Sequence, residues 1–180
     1  MHEKITALTN LKEMKKSIIV GVIALMYILS KEVPRMNARK RLIFLGGTVA
    51  NNKWRADFIP ALLRRGYNME DIFNPVVEDW TEDDAKKEEA AKKAATHLVF
   101  YIGSPQQDGN PLSAYSMVEA TMALYDRQLD TVVVFDPVGI EGHALKSYKQ
   151  TEKVLRARFP KANIFSTIDE ALNWFARQLT

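Results

Sequence analysis

From residue 41 onward the hydrophobic period of the chain switches repeatedly between that of a strand and that of a helix, and this alternation narrows its fold more than any other feature. RLIFLGG (41–47) is a short, unbroken apolar run ending in paired glycines, the pattern of a strand buried on both faces and followed by a turn. NKWRADFIPALLRRG (52–66) places Trp54, Phe58, Ile59, Leu62 and Leu63 on one helical face, with Gly66 as a stop and Pro60 as a source of a kink. DIFNPVV (71–77) predicts a second strand, which Pro75 confines to an edge or cuts short. TEDDAKKEEAAKKAA (81–95) predicts a helix capped by Thr81, its acids first and its lysines last, as the helix dipole favours. Its charged run from 86 to 93 reads as a solvated face with pairing four residues apart. HLVFYIG (97–103) and TVVVFDP (131–137) are strands on either side of a helix that contains SAYSMVEA, and NIFSTI (163–168) is a fifth. Helices over about 143–158 and over DEALNWFARQL (169–179) complete the series.

Five strands alternating with five helices imply a mostly parallel sheet covered on both faces, an α/β flavodoxin-like three-layer sandwich of strand order 2-1-3-4-5. Such a sheet accounts for residues 41–180 as one domain. Residues 1–40 stand apart as a basic and hydrophobic N-terminal extension. Within it SIIVGVIALMYILS (17–30) is uncharged. Fourteen helical residues reach roughly 21 Å, short of the roughly 30 Å of a hydrocarbon core. Three readings stay open: a short anchor or interfacial helix giving membrane association, a helix packed on the domain or a partner, and an upstream extension that the working protein lacks, with Met36 near the domain start. The corresponding localisation is cytoplasmic, or membrane-associated through residues 17–30.

The chain has no cysteine, so disulfides, thiolate catalysis and sulfur-ligated zinc do not arise. His2, His97 and His143 are scattered without metal-ligand spacing, and neither a metal nor a cofactor is expected. The net charge of +3 is misleading about partners, because residues 1–40 alone carry eight Lys/Arg against three Asp/Glu and leave the rest at −2. No nucleic-acid partner is expected of a slightly acidic domain.

In an open parallel sheet ligands bind beyond the carboxyl ends of the strands where strand order reverses, here between the first and third strands. That juxtaposes GGTVANN (46–52) with GSPQQDGNPLS (103–113), and Glu119 follows directly. FNPVVEDW adds Glu78 and Asp79 beyond the second strand. Gly46, Gly47 and Thr48 could form an anion cradle, but the spacings of GxGxxG and of the Walker motif are missing, which argues against dinucleotides and nucleoside triphosphates. Ser116 and Glu119 stand three apart, as in a capping box at a helix start; if Ser113 caps the helix instead, both lie one turn inside it and Glu119 has no capping duty. Trp54 fits either core packing or stacking on a ligand. Arg55 suits a substrate oxygen, a pair with Glu78, or plain solvation. Asn74 suits the turn after the second strand.

FLGGTxxxxxWR (44–55), NPVVEDW (74–80) and SxxEA (116–120), in this order on these elements, resemble the nucleoside 2-deoxyribosyltransferase-like family, over roughly residues 41–137. The resemblance implies a glutamate nucleophile, matched by Glu119, that attacks C1′ of a 2-deoxyribose and displaces the base. It implies an acid handling the base, matched by Asp79 with Glu78 close behind, and it matches Ser113 to a serine of the related deoxynucleoside monophosphate N-hydrolases. Substrate contacts then fall to Gly46, Gly47, Thr48, Trp54, Arg55, Asn74, Ser113 and Ser116, with Trp54, Trp80 or Tyr115 stacking on the base. Tyr115 and Met117 occupy positions where those relatives carry glycine, and Ser113 stands where the transferases carry aspartate.

The expected function is cleavage or exchange of the N-glycosidic bond of a 2′-deoxynucleoside or its 5′-monophosphate, a small-molecule partner. The family likeness also implies a homo-oligomer. A non-catalytic nucleotide-sensing module of the same fold is the alternative, and an interaction domain held at a membrane by residues 17–30 is a third idea.

Overall fold

The computed structural model describes residues 41–49, 53–104 and 114–179. The expectations for residues 1–40 and the assignment of Ser113 lie outside the described residues. The elements in chain order are β1 (Ile43–Gly47), α1 (Trp54–Arg64), a 3-10 turn (Met69–Asp71), β2 (Ile72–Phe73), α2 (Glu82–Ala94), β3 (His97–Ile102), α3 (Ala114–Arg127), β4 (Thr131–Phe135), α4 (Gly142–Arg158), β5 (Asn163–Phe165) and α5 (Ile168–Ala176). All strand pairs are parallel and the order is β2-β1-β3-β4-β5. The flavodoxin-like arrangement expected from the sequence is therefore the one observed.

Alternate side chains of each central strand feed two separate cores, because successive residues of a strand point to opposite faces. Phe44, Leu98, Phe100, Ile102, Val133 and Phe135 pack toward Ala91, Ala120, Leu124, Tyr148 and Leu155, that is, toward α2, α3 and α4. Ile43, Leu45, Val99, Tyr101, Val132 and Val134 pack toward Trp54, Phe58, Leu62, Leu172 and Phe175 of α1 and α5. Two-sided burial explains why these strands are apolar without interruption.

β2 is the main departure in extent: two residues rather than seven. The Asn74 side chain accepts a hydrogen bond from the Val76 backbone N–H at 3.2 Å, turning the chain away just where Pro75 removes a donor. β5 likewise closes after Phe165, because the Thr167 side chain caps α5 by accepting from Glu170. Pro60 lies inside α1, which runs through it. Among the described residues no helix is long and apolar enough to cross a membrane.

Candidate active site

The carboxyl end of β1 is built to stay close to β3. Gly47 has φ +108°, and a Cβ there would lie 2.1 Å from the Tyr101 carbonyl oxygen, so the register demands glycine. Thr48 extends the attachment: its backbone N–H donates to the Tyr101 carbonyl at 2.8 Å, its hydroxyl donates to the Gly103 carbonyl at 3.2 Å, and the Gly103 N–H donates back to that hydroxyl. A Cβ on Gly46 would meet the Phe100 ring at 2.7 Å. Close packing against β3 thus accounts for both glycines without any anion.

Arg55 is buried in the first turn of α1, not solvated, and its guanidinium points back at this turn. Its Nη1 donates to the Thr48 carbonyl at 3.0 Å, and its Nη2 and Nε donate to the Leu45 carbonyl at 3.0 and 3.3 Å. Burial lowers its pKa to about 10, opposed by the charge of Glu88, so it stays a cation at neutral pH. Trp54 is also buried. It stacks on Tyr101 with ring centroids 5.1 Å apart, and its indole N–H donates to the Thr48 carbonyl at 3.1 Å. Its burial and its bond to the turn favour the core alternative for this residue.

A cavity of about 390 Å³ opens at this edge, within the range of small-ligand sites. Its floor is Gly46, Gly47, Thr48 and Arg55; one wall is the Pro75–Val77 segment with Trp80; the other is Tyr115, Ser116 and Glu119 of α3. Trp80 and Tyr115 are both exposed at this site, a placement that leaves two aromatic faces for a planar ligand.

Among the described residues α3 is already helical at Ala114, so Ser116 and Glu119 lie inside it and the capping-box alternative falls away. Ser116 is buried. Glu119 directs its Oε1 to the Nζ of Lys92, which also binds Glu88 Oε1 at 3.0 Å. The three side chains are 14, 18 and 21% exposed for Glu119, Lys92 and Glu88. Burial alone would push Lys92 down, but its hydrogen bonds and charge contacts with Glu119 and Glu88 outweigh that and hold its pKa above the ordinary value. The Glu119 charge in turn raises the Tyr115 phenol.

Lys92 and Glu88 are thus a correction to the solvated-face reading of 86–93. Their signal was positional: both share the α2 face on which Ala91 is buried, so charges at 88 and 92 point inward. Asp79 and Glu78 lie in an exposed bend between the wall residues Val77 and Trp80, and neither lines the cavity. Among the described residues, the carboxylate that shares the cavity with Glu119 is Glu88. Asn74 and Trp54 line a second, adjoining cavity that also meets Val49, Arg55 and Val76, where the Tyr101 hydroxyl donates to Asp136 at 2.8 Å. Among the described residues no cluster of three or more His, Asp and Glu is arranged to hold a metal ion.

A family model described as nucleoside 2-deoxyribosyltransferase like matches residues 40–138, more than half of the chain and every residue named at the cavity. No curated protein matches the chain.

Proposed function

The chain belongs to the nucleoside 2-deoxyribosyltransferase-like family, and from that premise we propose that it cleaves or exchanges the N-glycosidic bond of a 2′-deoxynucleoside or its 5′-monophosphate. The observation that carries the reading is Glu119, a mostly buried carboxylate in the wall of a ligand-sized cavity at the switch point of the sheet. In the proposed reaction a Glu119 oxygen attacks C1′, the C1′–N bond breaks, and the base leaves with that electron pair and a proton. Asp79, in the exposed bend next to Trp80, is the proposed proton donor. Water then attacks C1′ of the glycosyl ester to give deoxyribose and the regenerated carboxylate, or a second base does so to give a new nucleoside. In this reading Trp80 and Tyr115 hold the base between them and Ser116, Thr48 and the Gly46–Gly47 backbone meet the sugar, all of them lining the cavity, while Ser113 keeps the substrate contact that the family resemblance gives it.

The test is to incubate the protein with each deoxynucleoside and its monophosphate, with and without a second base. Exchange identifies a transferase and released sugar a hydrolase. Glu119→Gln is expected to lower kcat by about 10³-fold or more, as removal of a nucleophile does; full activity in that variant, with the fold intact, overturns the mechanism.

The sensor reading is favoured by one observation, the ammonium of Lys92 against the Glu119 carboxylate, since a carboxylate committed to an ion pair can bind without reacting. Saturable binding of deoxynucleosides without turnover by the parent protein would establish it.

The proposal extends to assembly. Tyr115, Val118, Met122 and Tyr125 of α3 and Leu129 just after it recur at alternating spacings of three and four, and each is more than half exposed. That seam fits a second copy of the same helix. The charges agree, because Arg158 sits over Tyr125 at one end of the seam and Glu89 borders the groove beside Val118 at the other. A two-fold axis near Met122 brings each against its opposite.

A further inference from the structure

We propose that Lys92 is a positioning residue for Glu119: its ammonium, in contact with one carboxylate oxygen, turns the group toward the cavity so that attack falls to the second oxygen. This rests on the reading of Glu119 as the nucleophile.

Three contacts from different elements fix the ammonium. Glu88, one turn earlier on α2, binds it at 3.0 Å. Glu119 reaches it from α3. The Phe44 ring of β1 lies beneath it, with its centroid 5.3 Å from Nζ, and that ring is itself held by stacking on Phe73 at 5.8 Å. A lysine on a solvated face has a long, mobile stem. This one is held at its head by two carboxylates and an aromatic face, so the position of Oε1 is set by the sheet core and not by the rotamers of α3 alone.

Among the described residues, the charges around Glu119 come from three elements. α2 supplies Lys92 and Glu88; α3 supplies Tyr115 and, further along the same groove, Asp126 and Arg127; α1 supplies Arg55, which acts on Glu88. Lys92 is the cation in direct contact with Glu119, and without it the carboxylate faces Glu88 across the same space. An acid that must attack carbon has to be ionised and aimed, and misplacing a reacting group by an ångström costs about 10²-fold. One cation in contact serves both needs.

Lys92→Met keeps the stem and removes the charge. The expected result is a fall in kcat of about 10²-fold, KM changed far less, and the acid-side limb of the pH–rate profile displaced to higher pH. Lys92→Arg is expected to restore the position of the limb and part of kcat. A packing role alone would lower stability and leave the limb in place. An unmoved limb in Lys92→Met, with Glu119→Gln inactive, overturns this proposal and leaves the nucleophile assignment standing. Full activity in Glu119→Gln, or no turnover by the parent, removes the nucleophile and this role together. Should Lys92→Met not fold, Glu88→Gln decides: it leaves the ammonium to Glu119 alone and should displace the limb to lower pH, and an unmoved limb there overturns the proposal as well.

Discussion

At the scale of single residues, the glycines and the histidine of the central strands carry more than their letters suggest. Gly47 looks like half of an anion cradle, yet its φ of +108° and the 2.1 Å approach of a Cβ to the Tyr101 carbonyl oxygen make it a matter of register between β1 and β3. Gly47→Ala must either separate the strands or leave the left-handed region, and is expected to cost about 3 kcal/mol or more. Urea denaturation of the variant measures this, and a loss below about 1 kcal/mol would mean that the strand ends can part without strain. His97 opens β3, edge-on to Trp174 and Phe175 at 5.5 and 5.7 Å. Burial lowers its pKa, with Asp130 opposing and Arg127 and Arg41 assisting. The unfolded chain therefore binds a proton that the folded chain resists, so stability is lost as pH falls through the ordinary histidine value of about 6.5. Replacing His97 by glutamine should flatten the dependence of the urea midpoint on pH between about 7 and 5. Parallel curves for parent and variant would assign the acid sensitivity elsewhere.

At the scale of elements, what could be read from the sequence follows from how many faces of an element are buried. β1, β3 and β4 are apolar on both faces, and only two-sided burial produces that pattern, so their order and the helices between them followed. β2 was legible as an edge but not in extent, because Pro75 signals an early end without showing that Asn74 would turn the chain first. α3 was ambiguous in a more consequential way. SxxE satisfies a capping box and an interior helical pair equally well, and the helical backbone at Ser116, with Lys92 across from Glu119, decides between them. α2 concealed Glu88 and Lys92 because an inward and an outward charge four residues apart look alike on a helix whose buried face is alanine. Arg55 was hidden for the opposite reason. Its partners are backbone carbonyls of residues 45 and 48, and carbonyls leave no mark in the amino-acid letters. Of the acids expected at the cavity, Glu119 lines it while Asp79 and Glu78 are exposed and do not, and Glu88 of α2 lines it instead.

At the scale of the whole molecule, one exposed apolar surface carries the proposed assembly. Most of the apolar side chains of α3 that do not enter the core are gathered on one line, Tyr115, Val118, Met122 and Tyr125, continued by Leu129 just after the helix, each more than half exposed. Scattered apolar residues on a surface need no explanation, but a contiguous line at coiled-coil spacing does. The same line starts at Tyr115, which also walls the cavity with Glu119. A second copy packed along it would cover the open side of the Tyr115 ring and couple assembly to the site. Met122, at the centre of the line, is 61% exposed and so contributes little to the monomer core. Met122→Glu places two like charges together at the two-fold axis, a cost of several kcal/mol to the pair and little to each fold. Sedimentation velocity of the full chain is expected to show a dimer or a larger even-numbered assembly for the parent and a shift to monomer for the variant, with unchanged circular dichroism. If the parent sediments as a monomer at micromolar concentration, the line has some other partner. If the variant assembles as the parent does, the two-fold does not pass near Met122.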